Sequence, residues 1–586
     1  NSTGFAAGSN ISELFSEDSS GATVLNPDAS GSFNGISAGS TIILQATDFI
    51  TVSNNFVLAT ATGNSNVNLV MQAGSSINVN ANLTLDGTGT LHIEADSPHS
   101  SSGAADGTGA INIASGKTIT AGGAVTLIGA DFSLVGSLSA GSNNVTIGQS
   151  AAGTLALGSA TSSILSDTEF DNISTTGTLT IGQATTKGSD GAGTSASTIT
   201  SGAITLDELT LGSKNVTLVS SSTINDDDDT ETAITTTGTL TLTSGAAIGG
   251  SGGSQGLDIN VGTLAITGTG SGNVTVTEAS GLILGATTVG GALSATATTG
   301  DITDSGALAI TGAATFITGA TGSNIVLDSA SNAFSNSVEM RADDGSEAFG
   351  NITFVDSAAV DFATSAGSNG DLFINGGTDG AVGGNLNVTA TTGNITDTVA
   401  LNVTGTSFFT TSASNGTITL NNASNGLIGS VTLSTTGSSG NVTIDNGTTA
   451  INIAASTIGG NLAVTAGDSI TDSGIITVAG TASFTTDTSN KLITLNSQNA
   501  ITGQVTFSTT GTGGDVTLDN GSTAISLGTI SSSDIGGDLI LLTDAAQTIS
   551  NAITLNGSGA ALSVTVDNSK SLNIQNALTT NSLILI

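Results

Sequence analysis

Apolar and polar residues alternate along this chain in short runs. "ITVS" at 50–53, "INVN" at 77–80, "LTLD" at 83–86, "GTLTLTS" at 238–244 and "NVTID" at 441–445 are typical. Each run holds a few Val, Ile or Leu, set one apart by Thr, Asn or Ser, and ends at Gly, Asn, Asp or Ser. A period of two marks strands with one buried and one wet face. Helical spacing is nearly absent. Only "NISELFSED" at 10–18 and "TDAAQTISNA" at 543–552 are expected to make a turn or two of helix.

Phrases repeat over longer distances. "GGALSATATTGDITD" starts at Gly290, "GGNLNVTATTGNITD" at Gly383, "GGNLAVTAGDSITD" at Gly459 and "GGDLILLTD" at Gly536, at intervals of 93, 76 and 77 residues. "VTLSTTG" at Val431 returns as "VTFSTTG" at Val505, and "NVTIDNGTTAI" at Asn441 as "DVTLDNGSTAI" at Asp515. A repeat of this kind implies a stack of similar units. Quartering 76 gives rungs of about 19 residues, each three short strands and three turns, and about 31 rungs in 586 residues. The expected fold is therefore all-β, a parallel β-helix or β-solenoid. Gly383 and Gly384 form a corner, Leu386 and Val388 face the core, and "TTGNITD" supplies the next turn and strand. The first interval exceeds the second by 93 − 76 = 17 residues, close to one rung, and the excess falls around "VEMRADDGSEAFGNITF" at 338–354. The chain divides into an entry segment (1–40), a first run of rungs (41–289), the super-repeats (290–542) and the last rungs (543–586), the last with a possible subunit contact. The closing "NSLILI" is an apolar strand without a cap, expected either to continue or to meet another subunit.

Composition supports an ordered chain, because 37% of the residues are hydrophobic and mean hydropathy is positive. Disorder would need far less apolar material. The net charge of −39 comes from 45 Asp and Glu against 6 Lys and Arg. Such a surface repels phosphate backbones and anionic lipid and gives nucleic acid nothing to bind. There is no Cys, which removes disulfides and thiolate metal sites, and no apolar run long enough to span a membrane. Few Lys and Arg also leave few sites for trypsin-like proteases, which suits a protein outside the cell.

Three stretches carry a family cadence: "IILQATDFITVSNNFVL" at 42–58, "LVMQAGSSINVNANLTLDGTGTLHIEADSP" at 69–98 and "GTGAINIASGKTITAGGAVTLIGADFSL" at 107–134. This resembles the large secreted exoproteins related to filamentous haemagglutinin. The resemblance implies a right-handed parallel β-helix, export across a bacterial outer membrane, and surface adhesion or fibre building.

Candidate chemistry is sparse. In "NDDDDTET" at 225–232, Asp226, Asp227, Asp228 and Asp229 either bind Ca²⁺ through carboxylate oxygens or form a solvated loop. In "RADDGSEAFG" at 341–350, the only arginine, Arg341, stands with Asp343, Asp344 and Glu347, either as a binding protrusion or paired-carboxylate site, or as an internally paired corner. "GGSGGSQGLDIN" at 249–260 faintly matches Ca²⁺-coil nonapeptides. His92 and His99 either pair on a metal or, as the strand context of His92 suggests, point outward without one. Regular Thr rows raise ice binding, against which their irregular wording argues. Asn-x-Thr/Ser sequons, as at Asn82, Asn144, Asn215, Asn402 and Asn441, follow from composition. No nucleophile–base arrangement or phosphate loop is present.

The reading is a non-catalytic extracellular structural protein with no cofactor beyond a possible Ca²⁺: a β-solenoid subunit of a cell-surface fibre or adhesin stalk. Its expected partner is itself, end to end or side by side, with cell-surface glycans or matrix. The alternatives are a carbohydrate-active β-helix enzyme or tail-spike-like glycan binder, and a Ca²⁺-dependent surface-layer or matrix protein.

Overall fold

A computed structural model describes residues 11–13, 38–58, 66–97, 106–159, 163–188, 196–227, 231–250, 256–342, 350–363, 371–374, 381–555, 557–567 and 569–586. The chain forms two compact units, Asn1–Ala295 and Thr296–Ile586. In both, parallel strands stack turn on turn into a β-solenoid, about 21 turns in all, with almost no helix.

In the first unit three ladders show three strands per turn. One runs Ile42, Leu69, Leu91, Val125, Val145. The second runs Ile50, Ile77, Ile111, Phe132, and the third Phe56, Leu83, Ile119, Leu138. Like stacks on like, since a parallel ladder sets each residue over its counterpart one turn away. The inward residues are all but sealed from water: Leu69, Ile77, Leu83 and Leu91 are at most 1% exposed. Burying each such side chain contributes roughly 1.5–3 kcal/mol.

Turns are longer and more variable than a quarter of the repeat would make them. The sequence offset between partners on successive turns is 20 for Asn441 and Asn461, 24 for Asn215 and Thr239, 27 for Gln45 and Gln72, and 34 for Asn78 and Asn112. This is why there are fewer turns than expected. The 76-residue repeat is accordingly not four turns. From Leu386–Ala390 to Leu462–Ala466 there are ten strand steps, and ten is three turns of three plus one. Leu386 stacks under Ser407 and Val431. Leu462 instead continues the ladder Ile395, Ile418, Val442. Leu539 belongs to a third, Ile470, Ile493, Val516. The same phrase therefore moves round one face per copy. Leu386 and Val388 are fully buried, as their alternation predicts, and "ITD" at Ile395–Asp397 is the next strand.

The 17-residue excess also differs from expectation. Leu293, Ala314 and Val338 keep the sequence spacing of Leu386, Ser407 and Val431, position for position, so nothing is added before Val338. Far more chain separates the strands that start at Val360 and Ala381 than separates their counterparts at Ile451 and Ser456. The insertion thus follows Phe362, well beyond Arg341. Among the described residues it adds one strand, Asp371–Ile374, parallel to Val338–Ala342 and to Val360–Phe362, rather than a rung of three.

Neither expected helix forms among the described residues. Ile11–Glu13 is a strand on Thr41–Ala46, and Gln547–Ile549 is a strand on Leu572–Ile574. The helix in the structure is Asp167–Asp171, whose Glu169 carboxylate accepts the Ser166 N–H (2.8 Å) in a capping box and the Leu134 N–H (3.0 Å).

Corners are built from stacked left-handed residues. Asn415 (φ +66°) sits beneath Gly437 (φ +82°), and Asn490 (φ +63°) beneath Gly511 (φ +80°). In each pair a Cβ on the glycine would lie 2.6 or 2.4 Å from the asparagine Oδ1, so only Gly fits above.

Candidate functional site

The four-aspartate run is only partly in the described residues, which include Asp226 and Asp227 but not Asp228 or Asp229. Asp226 is not on a loop. It closes the strand Ile224–Asp226, stacks on Leu206, is 2% exposed, and its Oδ2 accepts the Asp258 N–H at 3.2 Å. Asp227 follows on the exposed side. Asp226 thus holds the next turn and faces away from a cation in solvent.

Arg341 lies in the ordinary strand Val338–Ala342, in register with Ile317. Its guanidinium pairs with Glu339 on the same outer face, Nε to Oε1 at 2.7 Å. Asp343, Asp344 and Glu347 lie outside the described residues. Of the nonapeptide-like stretch 249–260, residues 251–255 lie outside them too.

His92 does leave the strand on its outer side, but it is 5% exposed rather than wet. Its Nε2 is 3.2 Å from Glu94 Oε2. The same oxygen accepts from Gln72 Nε2 (3.2 Å) and from the Lys187 N–H (3.1 Å), while Glu94 Oε1 accepts the Ser97 hydroxyl (2.9 Å). Gln45 Nε2 extends the chain to Gln72 Oε1 at 2.8 Å. Burial pushes the Glu94 carboxyl up. The hydrogen bond and charge of the His92 ring, then the Lys187 and Ser97 donors, outweigh it and hold the group below the usual range. Among the described residues no three His, Asp or Glu gather, and His99 is not among them.

Elsewhere carboxylates and amides serve stacking. Asp304, Asp397 and Asp472, each the last residue of an "ITD", do one job. Asp397 accepts the N–H groups of Asn421 (2.8 Å) and Asn422 (3.2 Å) one turn on, and Nδ2 of buried Asn425 (2.6 Å). Asp304 and Asp472 repeat this with Asn332 and Asn499. Each buried amide then accepts a core N–H: Leu308 for Asn332, Leu401 for Asn425, Ile476 for Asn499. Asn446 and Asn520 bind back to the strand below through both amide atoms, to the N–H and C=O of Leu427 and of Ile501. Residue-type reasoning overlooked these. Their signal was present as the interval of 27 or 28 residues from each "ITD" aspartate to a following Asn.

The sequon asparagines have a related outer role. Oδ1 of Asn82, Asn144, Asn215 and Asn441 accepts the N–H of Thr118, Thr178, Thr239 and Asn461 on the next turn, at 2.8–3.0 Å. At these four the Asn-x-Thr is a corner amide followed by an outward Thr, whereas Asn402 lies within the strand Asn402–Val403.

Three stretches, 271–341, 350–434 and 439–508, match a family model described as repeats of unknown function (DUF5649). They fall on most of the super-repeat region, stopping at residue 508, and support a β-helical repeat protein. No curated protein and no solved structure matches the chain.

Proposed function

We propose that this protein is a non-catalytic structural component outside the cell, a β-solenoid subunit of a surface fibre or adhesin stalk. One observation carries the reading. The groups with chemistry in them, the recurrent Asp, Asn and Gln side chains, hydrogen-bond one turn to the next, as in the Asp397–Asn425 set. A chain in which side-chain polarity serves repetition is suited to reach and mechanical continuity. The excess of acid over base keeps such a material dispersed. The haemagglutinin-like cadence of residues 42–134 points the same way for export and adhesion.

The test is immunogold labelling of the producing cells with electron microscopy of their surface. The proposal expects label along surface fibres or stalks. Label confined to the cell interior would overturn the location. Cleavage of a polysaccharide panel by the purified chain would overturn the non-catalytic role.

A further inference from the structure

Most outward strand positions are wet, but in the first unit Ile43, Val70 and His92 are buried, and so is a longer row beside them. Parallel register aligns Gln45, Gln72, Glu94, Ile128 and Gly148 on successive turns. All five are buried, with Gln72, Glu94 and Ile128 at 0% exposure. The chain itself supplies the cover. Gly182 (φ +94°) takes it off the sheet, and Gln183–Thr185 pairs antiparallel with Thr198–Thr200, against the parallel ladders beside it.

This segment runs back across the row. Ala184 sits over Gly148, so close that a Cβ on Gly148 would lie 2.5 Å from the Ala184 Cβ. Three residues further on, the Lys187 N–H reaches Glu94 and its carbonyl accepts from Gln72 Nε2 (3.1 Å). Three extended residues span about 10 Å, the rise of about two turns. Gly148 and Glu94 are two turns apart in the ladder.

We propose that residues 183–188 form a latched strap, with the Glu94 carboxylate as its catch and Gly148 as its seat. The strap ties together turns two apart in the ladder, which the Ser150 hydroxyl also links by donating to Asp96 (2.7 Å), and does so through contacts 93 and 115 residues apart in sequence. Its opening uncovers Ile128 and the Gln72–Glu94 network. The strap is a local opening unit, separable from unfolding of the solenoid.

Trypsin reads its state directly, because Lys187 lies in the strap and the full chain has only five other Lys or Arg. In limited digestion of the full chain, wild type is expected to be cut at exposed Lys570 well before Lys187. Glu94→Ala removes the catch, and Gly148→Ala puts a methyl into the seat without touching Glu94. Each is expected to speed cleavage after Lys187 by tenfold or more, with cleavage after Lys491 unchanged. Glu94→Gln, which can turn its oxygen to the strap and its amide to the Ser97 hydroxyl, keeps most of the protection. Any of the following overturns the proposal: wild type cut at Lys187 as fast as at Lys570; Glu94→Ala and Gly148→Ala within twofold of wild type; Lys187 opening only together with Lys491; or Glu94→Gln as labile as Glu94→Ala.

Discussion

Replacing Asn446 by Ala probes the interior amide ladder. Asn446 is fully buried; its Oδ1 accepts the Leu427 N–H at 2.7 Å, and its Nδ2 donates to Leu427 O (3.1 Å) and Ala450 O (2.7 Å). Alanine leaves one buried donor and two carbonyls without that partner and too little room for water to serve all three. An unsatisfied buried group costs about 1–3 kcal/mol, and carbonyls with a second acceptor site lose less, so the expected loss is about 3–5 kcal/mol. Corner Asn441 is the control. It is half-buried and accepts one N–H, from Asn461, in a bond that solvent reaches and water can replace, so Asn441→Ala should cost no more than about 1 kcal/mol. A repeat array need not unfold in one step, so a global melt is the wrong assay. Native-state hydrogen exchange is the right one, read at Gly426 and Ile428, whose own acceptors are Leu401 O and Val403 O and survive the substitution. At about 1.4 kcal/mol per factor of ten, their exchange should rise by roughly a hundred- to a few-thousand-fold. A rise below tenfold, or one no larger than Asn441→Ala produces at its neighbours, would falsify the view that the buried amides hold the turns together.

Two other outcomes follow from the same geometry. Gly437→Ala forces a left-handed alanine into the Asn415 Oδ1 and should destabilise the second unit by about 2–3 kcal/mol, whereas Gly39→Ala, with similar φ and open space, should cost only about 1 kcal/mol; equal losses in local exchange would refute the stacked corner. Glu278 is buried in the core with its carboxylate on the Val261 and Ser280 N–H groups, and burial raises its pKa above the usual glutamate range. The folded state therefore holds this proton after the unfolded chain releases it, so stability declines as pH rises from the unfolded pKa through the folded one. Glu278→Gln should flatten that decline in exchange measured around Val261 between pH 4 and 7, and an unchanged slope would assign it elsewhere.

Much of the architecture was legible because it rests on period two. Leu386 and Val388 read as core and are core. The turn length was not legible, because nothing in a 76-residue repeat says how many strands it holds; only the ladder of Leu462 on Val442 does. The repeat intervals place the insertion near Arg341 only to within a unit, while the added strand Asp371–Ile374 lies in plain Gly- and Asn-rich sequence that carries no mark of its own. His92 read as outward, correctly for the strand, but it is buried beside Glu94, which also binds Lys187 from far along the chain, and periodicity carries no such information. The "ITD" aspartates recurred visibly, yet their partners sit a full turn later, beyond any local motif.

One 76-residue repeat advances three turns and one face. The absence of native cysteine makes paired cysteines a clean test. Outward residues stacked one turn apart should lie about 4.8 Å from each other, within disulfide reach. Asn387 with Phe408, and Thr443 with Ala463, are such pairs in the ladders. Both double-cysteine variants should close a disulfide on mild oxidation, while Asn387 with Thr406 and Ile444 with Ala463, the pairs that a quarter-repeat turn would stack, should not. Closure of the quarter-repeat pairs in place of the others would contradict the account.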